Sequence, residues 1–187
     1  MARIRIIEPA AAQGELADIY EELASSRGKP AEVHKIGSLN PASIRDHMNL
    51  YMTVMFSHSP LSRAEREMMA VVVSAANECA YCVAHHGDAL NHYWRNHDRV
   101  SRLAAEGAGL HDLSDRERSL CSYAALVTRE PRSLEAVTMH ARLRAGGLDD
   151  RAILDATLVA SYFNFVNRIV LALGVELENE AGGYRYD

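Results

Sequence analysis

The chain has 187 residues, 48% of them hydrophobic and 24% charged, with a formal net charge of −5 at pH 7. That length and balance fit one globular domain with its own core and argue against disorder. The mixed, net-acidic charge leaves no footprint for nucleic acid.

No apolar run approaches the roughly 18 residues of a membrane span, and Arg3 and Arg5 come too early for a signal peptide. A cytoplasmic protein is therefore expected. In that setting three cysteines do not make a disulfide framework, and a C-x-x-C pair points to redox or metal work.

Residues 3–7 read as an extended entry. Residues 13 to about 26 read as a helix with Leu16, Ile19, Tyr20 and Leu23 on one face, broken at Gly28 and Pro30. A short helix is expected over 33–38. The next opens at Pro41, runs through Ile44, Met48, Tyr51, Met52 and Met55, and ends before Pro60.

Ser62 with Glu65 three residues later is a capping box. It starts a helix to about residue 77, and another runs from 79 to about 97. A short helix near 100–106 precedes Gly107 and Gly109. Ser114 with Glu117 caps a helix to about 129. Another spans 133–144, and Asp149 or Asp150 caps a last long helix to 173–174.

The acidic, aromatic tail after Val175 is expected to be loosely held or docked on a partner. The fold class is all-α, about eight helices in a single domain over 1–187. A shift of 87 residues places Leu61 on Leu148, Ser74 on Ser161, Asn77 on Asn164 and Gly87 on Gly174. This suggests a degenerate internal duplication, with a functional hairpin at about 62–97 and a second copy at about 148–174 that keeps only apolar packing.

The chemistry concentrates between Glu67 and His86. Cys79 and Cys82 form a C-x-x-C at a helix start, and His86 lies four residues after Cys82, about one turn. If the chain reverses at Asn77–Glu78, Glu67 and His86 lie level and can face each other. A thiolate in a first helical turn is stabilised by the free N–H groups there. An imidazole one turn on can take its proton, and a buried carboxylate can orient that imidazole. A second thiol can resolve an oxidised first one as a disulfide.

The neighbours of Glu67 at three and four residues, Ala64, Ala70 and Val71, suggest an apolar surround that suits proton transfer. Two other readings stand beside this one. The cysteines can be small buried hydrophobes, or Cys79, Cys82, His86 and Glu67 can be four zinc ligands, though a second ligand pair is missing. A thioredoxin-like site is disfavoured by the absence of βαβ units.

His85 points about 100° from His86 and reads as structural or interfacial. Cys121 reads as core. His34, His47, His58, His92, His97, His111 and His140 show no ligand spacing and receive no role. Met48, Met52, Met55, Met68 and Met69 read most simply as core, with a hydrophobic access channel as the alternative, and the amides of Asn164 and Asn167 read as structural hydrogen bonders.

Glu67, Cys79, Cys82 and His86 match the spacing that identifies the alkylhydroperoxidase D and carboxymuconolactone decarboxylase superfamily. The stretches 61–67, 79–87 and 162–168 resemble its peroxidase-related branch. The resemblance implies an alkylhydroperoxidase D-like all-α fold built of a duplicated helical unit. It also implies a homo-oligomer, a dimer or a hexamer of grouped dimers.

Cys82 would be the peroxidatic thiol, Cys79 the resolving one, and Glu67 and His86 their proton relay, with no metal or other cofactor. The implied activity is thiol-dependent reduction of an organic hydroperoxide, with an external dithiol, such as a lipoyl protein, restoring the cysteines. Tyr81 stands between the cysteines where alkylhydroperoxidase D can carry a histidine. The decarboxylase branch lacks the cysteine pair, so lactone decarboxylation is not expected. The rival functions are a non-enzymatic redox switch and a zinc-binding oligomer.

Overall fold

The computed structural model describes residues 2–133 and 135–178. It is all-α, with no strand among the described residues: α1 (Glu15–Arg27), α2 (Glu32–Lys35), α3 (Pro41–Phe56), α4 (Arg63–Ala76), α5 (Ala80–Trp94), α6 (His97–Glu106), α7 (Asp115–Arg129), α8 (Glu135–Ala145) and α9 (Asp150–Leu173). Short 3-10 turns occupy Pro9–Ala11 and Gly107–Gly109.

Helix α4 is the axis of the molecule. Its capping box forms as expected: Ser62 Oγ accepts from the Glu65 amide at 3.2 Å, and Glu65 Oε2 accepts from the Ser62 amide at 2.7 Å. Every residue from Arg66 to Ser74 is buried, because α5, α7 and α9 enclose α4. A helix buried on all faces must be apolar all round. Arg66, Glu67 and Ser74 break that rule and each has bonded partners.

Arg66, 4% exposed, sends its guanidinium to the carbonyls of Val54, Met55, Ser57 and Leu61 at 2.7–3.3 Å. Those carbonyls belong to the last turn of α3 and the loop after it. A helix end leaves such acceptors open and favours a cation beside them.

The α4–α5 turn reverses the chain as expected. Glu78 takes a left-handed φ of 56°, unusual for a side-chain-bearing residue. The turn is secured from α9: Asn77 Nδ2 donates to Asn164 Oδ1 at 3.0 Å and Asn167 Oδ1 at 2.9 Å. The Asn77–Asn164 contact joins two positions related by the 87-residue shift. Around them the two segments differ, because α9 runs unbroken from Asp150 to Leu173 where the first segment turns.

Helix α5 ends sooner than expected, at Trp94. Arg95 takes a left-handed φ of 51° that stops it, and Asn96 then caps α6 by accepting from the Arg99 amide at 3.0 Å.

The N-terminal helices form a separate layer. Leu16, Ile19, Tyr20 and Leu23 of α1 pack on Ile44 of α3 in a small core of their own. Of the methionines expected in the core, Met55, Met68 and Met69 are fully buried, whereas Met52 is exposed at the margin between α1 and α3.

Helix α9 corrects a second expectation. At 24 residues it is long and apolar enough, by length and composition, to cross a membrane. Asp155, Asn164, Asn167 and Arg168 interrupt its apolar run and mask this in the sequence. Here its inner face is part of the main core, with Phe163, Val166 and Val170 buried.

Candidate active site

The reversal at Asn77–Glu78 brings Glu67 of α4 level with His86 of α5. Glu67 is 0% exposed, and its Oε2 receives His86 Nδ1 at 2.7 Å. An ionised carboxylate only accepts, so His86 donates from Nδ1 and Nε2 is the nitrogen left to exchange a proton. The imidazole is braced edge-on against Phe163, ring centroids 4.4 Å apart.

The surround of Glu67 is not simply apolar. Arg63, one turn earlier on α4, donates to Oε1 at 2.8 Å. Its guanidinium also lies over the Phe56 ring at 3.8 Å and bonds the Met55 carbonyl. Arg63 thus compensates the buried carboxylate and fixes its rotamer. The i,i+4 spacing of Arg63 and Glu67 carries this signal in the sequence.

Both cysteines are free and buried. Cys79 is the N-cap residue of α5, and Cys82 lies in its first turn. They share an S–H···S bond. It pulls the Cys79 thiol below the usual value, against burial; it pushes Cys82 up, together with burial. A side-chain bond from Asn167 acts in the opposite sense on Cys82.

Ionisation and access therefore favour different sulfurs. Cys79 is the easier to deprotonate but is 0% exposed, whereas Cys82 lines a cavity of about 80 Å³. Asn167 is a site neighbour that the sequence marks only as a structural amide. It links Cys82 to the Asn77 turn and, at 3.3 Å, to Ser74 Oγ.

The cavity lies between the N-terminal layer and helices α5 and α9. His86 and Cys82 line one side. Tyr51 and His47 of α3, His34 of α2 and Tyr162 of α9 line the other. His47 Nε2 and the Tyr162 hydroxyl bond at 2.6 Å, and the His34 ring meets that of His47 at a tilt, with centroids 6.0 Å apart. Neither histidine has a role that the sequence reveals, because chain spacing carries no trace of a meeting made by packing.

Burial lowers His34 to about 3, helped by its neighbour His47, and lowers His47 to about 4. Both values lie below the free-histidine value of 6.5. Above pH 6.5 neither residue makes stability pH-dependent. As pH falls from 6.5 toward about 4, the unfolded chain binds protons that the folded one refuses, so stability declines. About 2 kcal/mol per histidine is expected to be lost by pH 5. Urea melts at pH 7.5, 6 and 5 measure this, and His34→Gln and His47→Asn should each flatten the slope; an unchanged slope would contradict the burial account.

His85 also faces this cavity rather than an outer surface. Its Nε2 meets Glu178 Oε2 at 2.8 Å, while Tyr81 donates to Glu178 Oε1 at 3.0 Å. The Glu32 amide donates to the same Glu178 carboxylate at 2.9 Å. The start of the tail is therefore docked on its own chain; the residues after 178, included in the same expectation, lie outside the described ones. Cys121 is fully buried in the core as expected, and burial pushes its thiol up to about 12. Among the described residues, no three of His, Cys, Asp and Glu are grouped as metal ligands, so the four-ligand zinc geometry does not form.

Residues 41–93 match the model of the carboxymuconolactone decarboxylase family, and this segment contains all four expected site residues. No curated protein matches the chain. Among solved structures, an uncharacterized peroxidase-related protein from Silicibacter sp. TM1040 is 27% identical, with a TM-score of 0.86 over 100% of this chain and 96% of its own. A peroxidase-related protein from Ralstonia eutropha JMP134, described as an alkylhydroperoxidase AhpD core, is 25% identical, with a TM-score of 0.81 over 95% of this chain and 93% of its own. The debrominase Bmp8 shares the fold at 20% identity, with a TM-score of 0.71 over 88% of this chain and 87% of its own. A segment of the carboxymuconolactone decarboxylase family thus sits in a chain whose whole fold is similar to alkylhydroperoxidase D-like, peroxidase-related structures.

Proposed function

We propose that this protein is a thiol peroxidase that reduces an organic hydroperoxide through Cys82 and Cys79. The observation that carries the reading is the Arg63–Glu67–His86 chain, which ends at a cavity shared by His86 and Cys82. A buried, charge-compensated carboxylate that holds an imidazole in the same cavity as a thiol suits activation of a nucleophile.

Atoms and electrons balance around the cycle. In the reduced pair one proton lies in the S–H···S bond and the other has passed to His86 Nε2. As substrate enters, Cys82 gives its proton to Cys79 and becomes the thiolate facing the cavity. Its sulfur attacks the terminal peroxide oxygen; the O–O bond breaks, and the departing alkoxide takes the proton from His86. Cys82 is now a sulfenic acid. The Cys79 thiol attacks it, forming the disulfide and releasing water. An external dithiol then reduces the disulfide and is itself oxidised.

Glu67 and Arg63 act as positioning residues throughout. A second copy of the chain is the other expected partner. Leu154, Leu158 and Phe165, exposed on one face of α9, support such self-association.

The test is direct. The reduced protein, mixed with one equivalent of cumene hydroperoxide, is expected to consume it and to yield a Cys79–Cys82 disulfide by peptide mass, with turnover on adding dihydrolipoamide. Slow disulfide formation without turnover would instead indicate a redox switch and reject the peroxidase reading.

A further inference from the structure

The cavity walls differ in character from one end to the other. At the Cys82 end, His86 and His85 each face a carboxylate, Glu67 and Glu178 respectively. At the opposite end lies Arg27, the last residue of α1. Its guanidinium lies over the Tyr51 ring at 4.9 Å and reaches the Tyr51 hydroxyl at 3.5 Å.

Among the described residues, no carboxylate lies within ion-pair reach of Arg27, and no other arginine or lysine lines the cavity. In a chain of net charge −5, a cation on a partly enclosed wall without a counter-ion among the described residues is unusual. His34 and His47 beside it stay neutral at physiological pH, so they neither repel a cation nor replace Arg27 in holding an anion.

Between the two ends runs a continuous ring wall. Tyr51 meets Tyr162 at 5.9 Å, Tyr162 meets Phe163 at 5.0 Å, and Phe163 meets His86 at 4.4 Å between centroids. Flat aromatic faces favour a flat apolar body. An arginine fork favours a carboxylate over any neutral head.

We propose that the substrate is an aromatic or otherwise flat hydroperoxide bearing a carboxylate, with Arg27 holding the acid group while the peroxide meets Cys82. The acid then sits at the α1 end, the ring lies along Tyr51 and Tyr162, and the reacting oxygen lies beside Cys82 and His86. Arg27 is a specificity-determining residue in this arrangement. It falls outside the family-matched segment of residues 41–93, as does Tyr162. The residues that recognise the substrate are thus drawn partly from outside the stretch that carries the chemistry.

The kinetic arm of the test rests on the peroxidase reading, and the binding arm does not. Two probes differ only in the acid: 4-(2-hydroperoxypropan-2-yl)benzoic acid and its methyl ester. The wild-type protein is expected to favour the acid in kcat/KM by about 10- to 100-fold, the range for one charge-assisted pair. In Arg27→Gln the acid-to-ester ratio should fall to near one, through KM for the acid; Arg27→Lys should recover part of it. Equal rates for acid and ester in the wild type overturn the proposal.

If neither probe is consumed, the peroxidase reading fails, and calorimetry with 4-isopropylbenzoate decides this proposal alone. Binding that weakens at least about 10-fold in Arg27→Gln sustains it. No binding, or binding indifferent to Arg27, rejects it.

Discussion

Replacing Cys82 by serine is expected to reduce hydroperoxide consumption by three orders of magnitude or more, roughly the scale set by losing an activated nucleophile. Replacing Cys79 should give a different phenotype. Cys79→Ser keeps the sulfur that lines the cavity, so one equivalent of peroxide should still react. The product should be a sulfenic acid on Cys82, trapped by dimedone and seen by mass, with no disulfide and no turnover.

The reduced pair makes this comparison sharp. The shared S–H···S bond lowers the Cys79 thiol and raises that of Cys82, so ionisation alone would nominate Cys79 as the attacking sulfur. Access nominates Cys82, because Cys79 is 0% exposed. A single proton transfer within the bond reconciles the two. If Cys82→Ser retained the first reaction and Cys79→Ser lost it, the roles of the sulfurs would be exchanged.

The largest stability effect is expected at Arg66. Arg66→Met removes a 4%-exposed guanidinium that bonds four carbonyls around the end of α3. Methionine fills a similar volume but donates nothing, leaving acceptors buried without partners. The expected loss is about 4 kcal/mol, or about 10 °C in Tm for a chain of this size. Arg66→Lys should recover only part, because one ammonium cannot reproduce the planar fork. Denaturant melts at pH 7.5 check both, and a loss under about 1 kcal/mol for the methionine variant would show that water or relaxation satisfies those carbonyls.

The helical fold and the core of the site are legible in the sequence for one reason: both are local. Capping boxes at Ser62 and Ser114 mark helix starts within four residues. Glu67 and His86 are 19 residues apart, and one hairpin turn decides whether they meet. Arg63 is equally local, one turn before Glu67, but the apolar neighbours Ala64, Ala70 and Val71 draw the eye from its pairing.

The cavity's far wall is not legible. His34, His47 and Tyr162 meet because the N-terminal layer packs over α9, with a separation of 115 residues between His47 and its Tyr162 partner. Glu178 reaches Tyr81 and His85 from a segment without periodic pattern. The end of α5 at Trp94 depends on one left-handed residue, Arg95, whose side chain does not announce that conformation.

The groups proposed to react and their ion-paired partners lie in the stretch from Arg63 to His86, while the chamber they open into is closed by pieces from near both ends of the described chain. Such a layout separates two kinds of inheritance. Descendants can exchange the first thirty-odd residues, or the tail beyond the closing helix, and so acquire a taste for a different molecule while leaving the engine untouched. Related proteins with the same hairpin are then no guide to one another's diet, and it is the borrowed walls that must be read to learn what each one consumes.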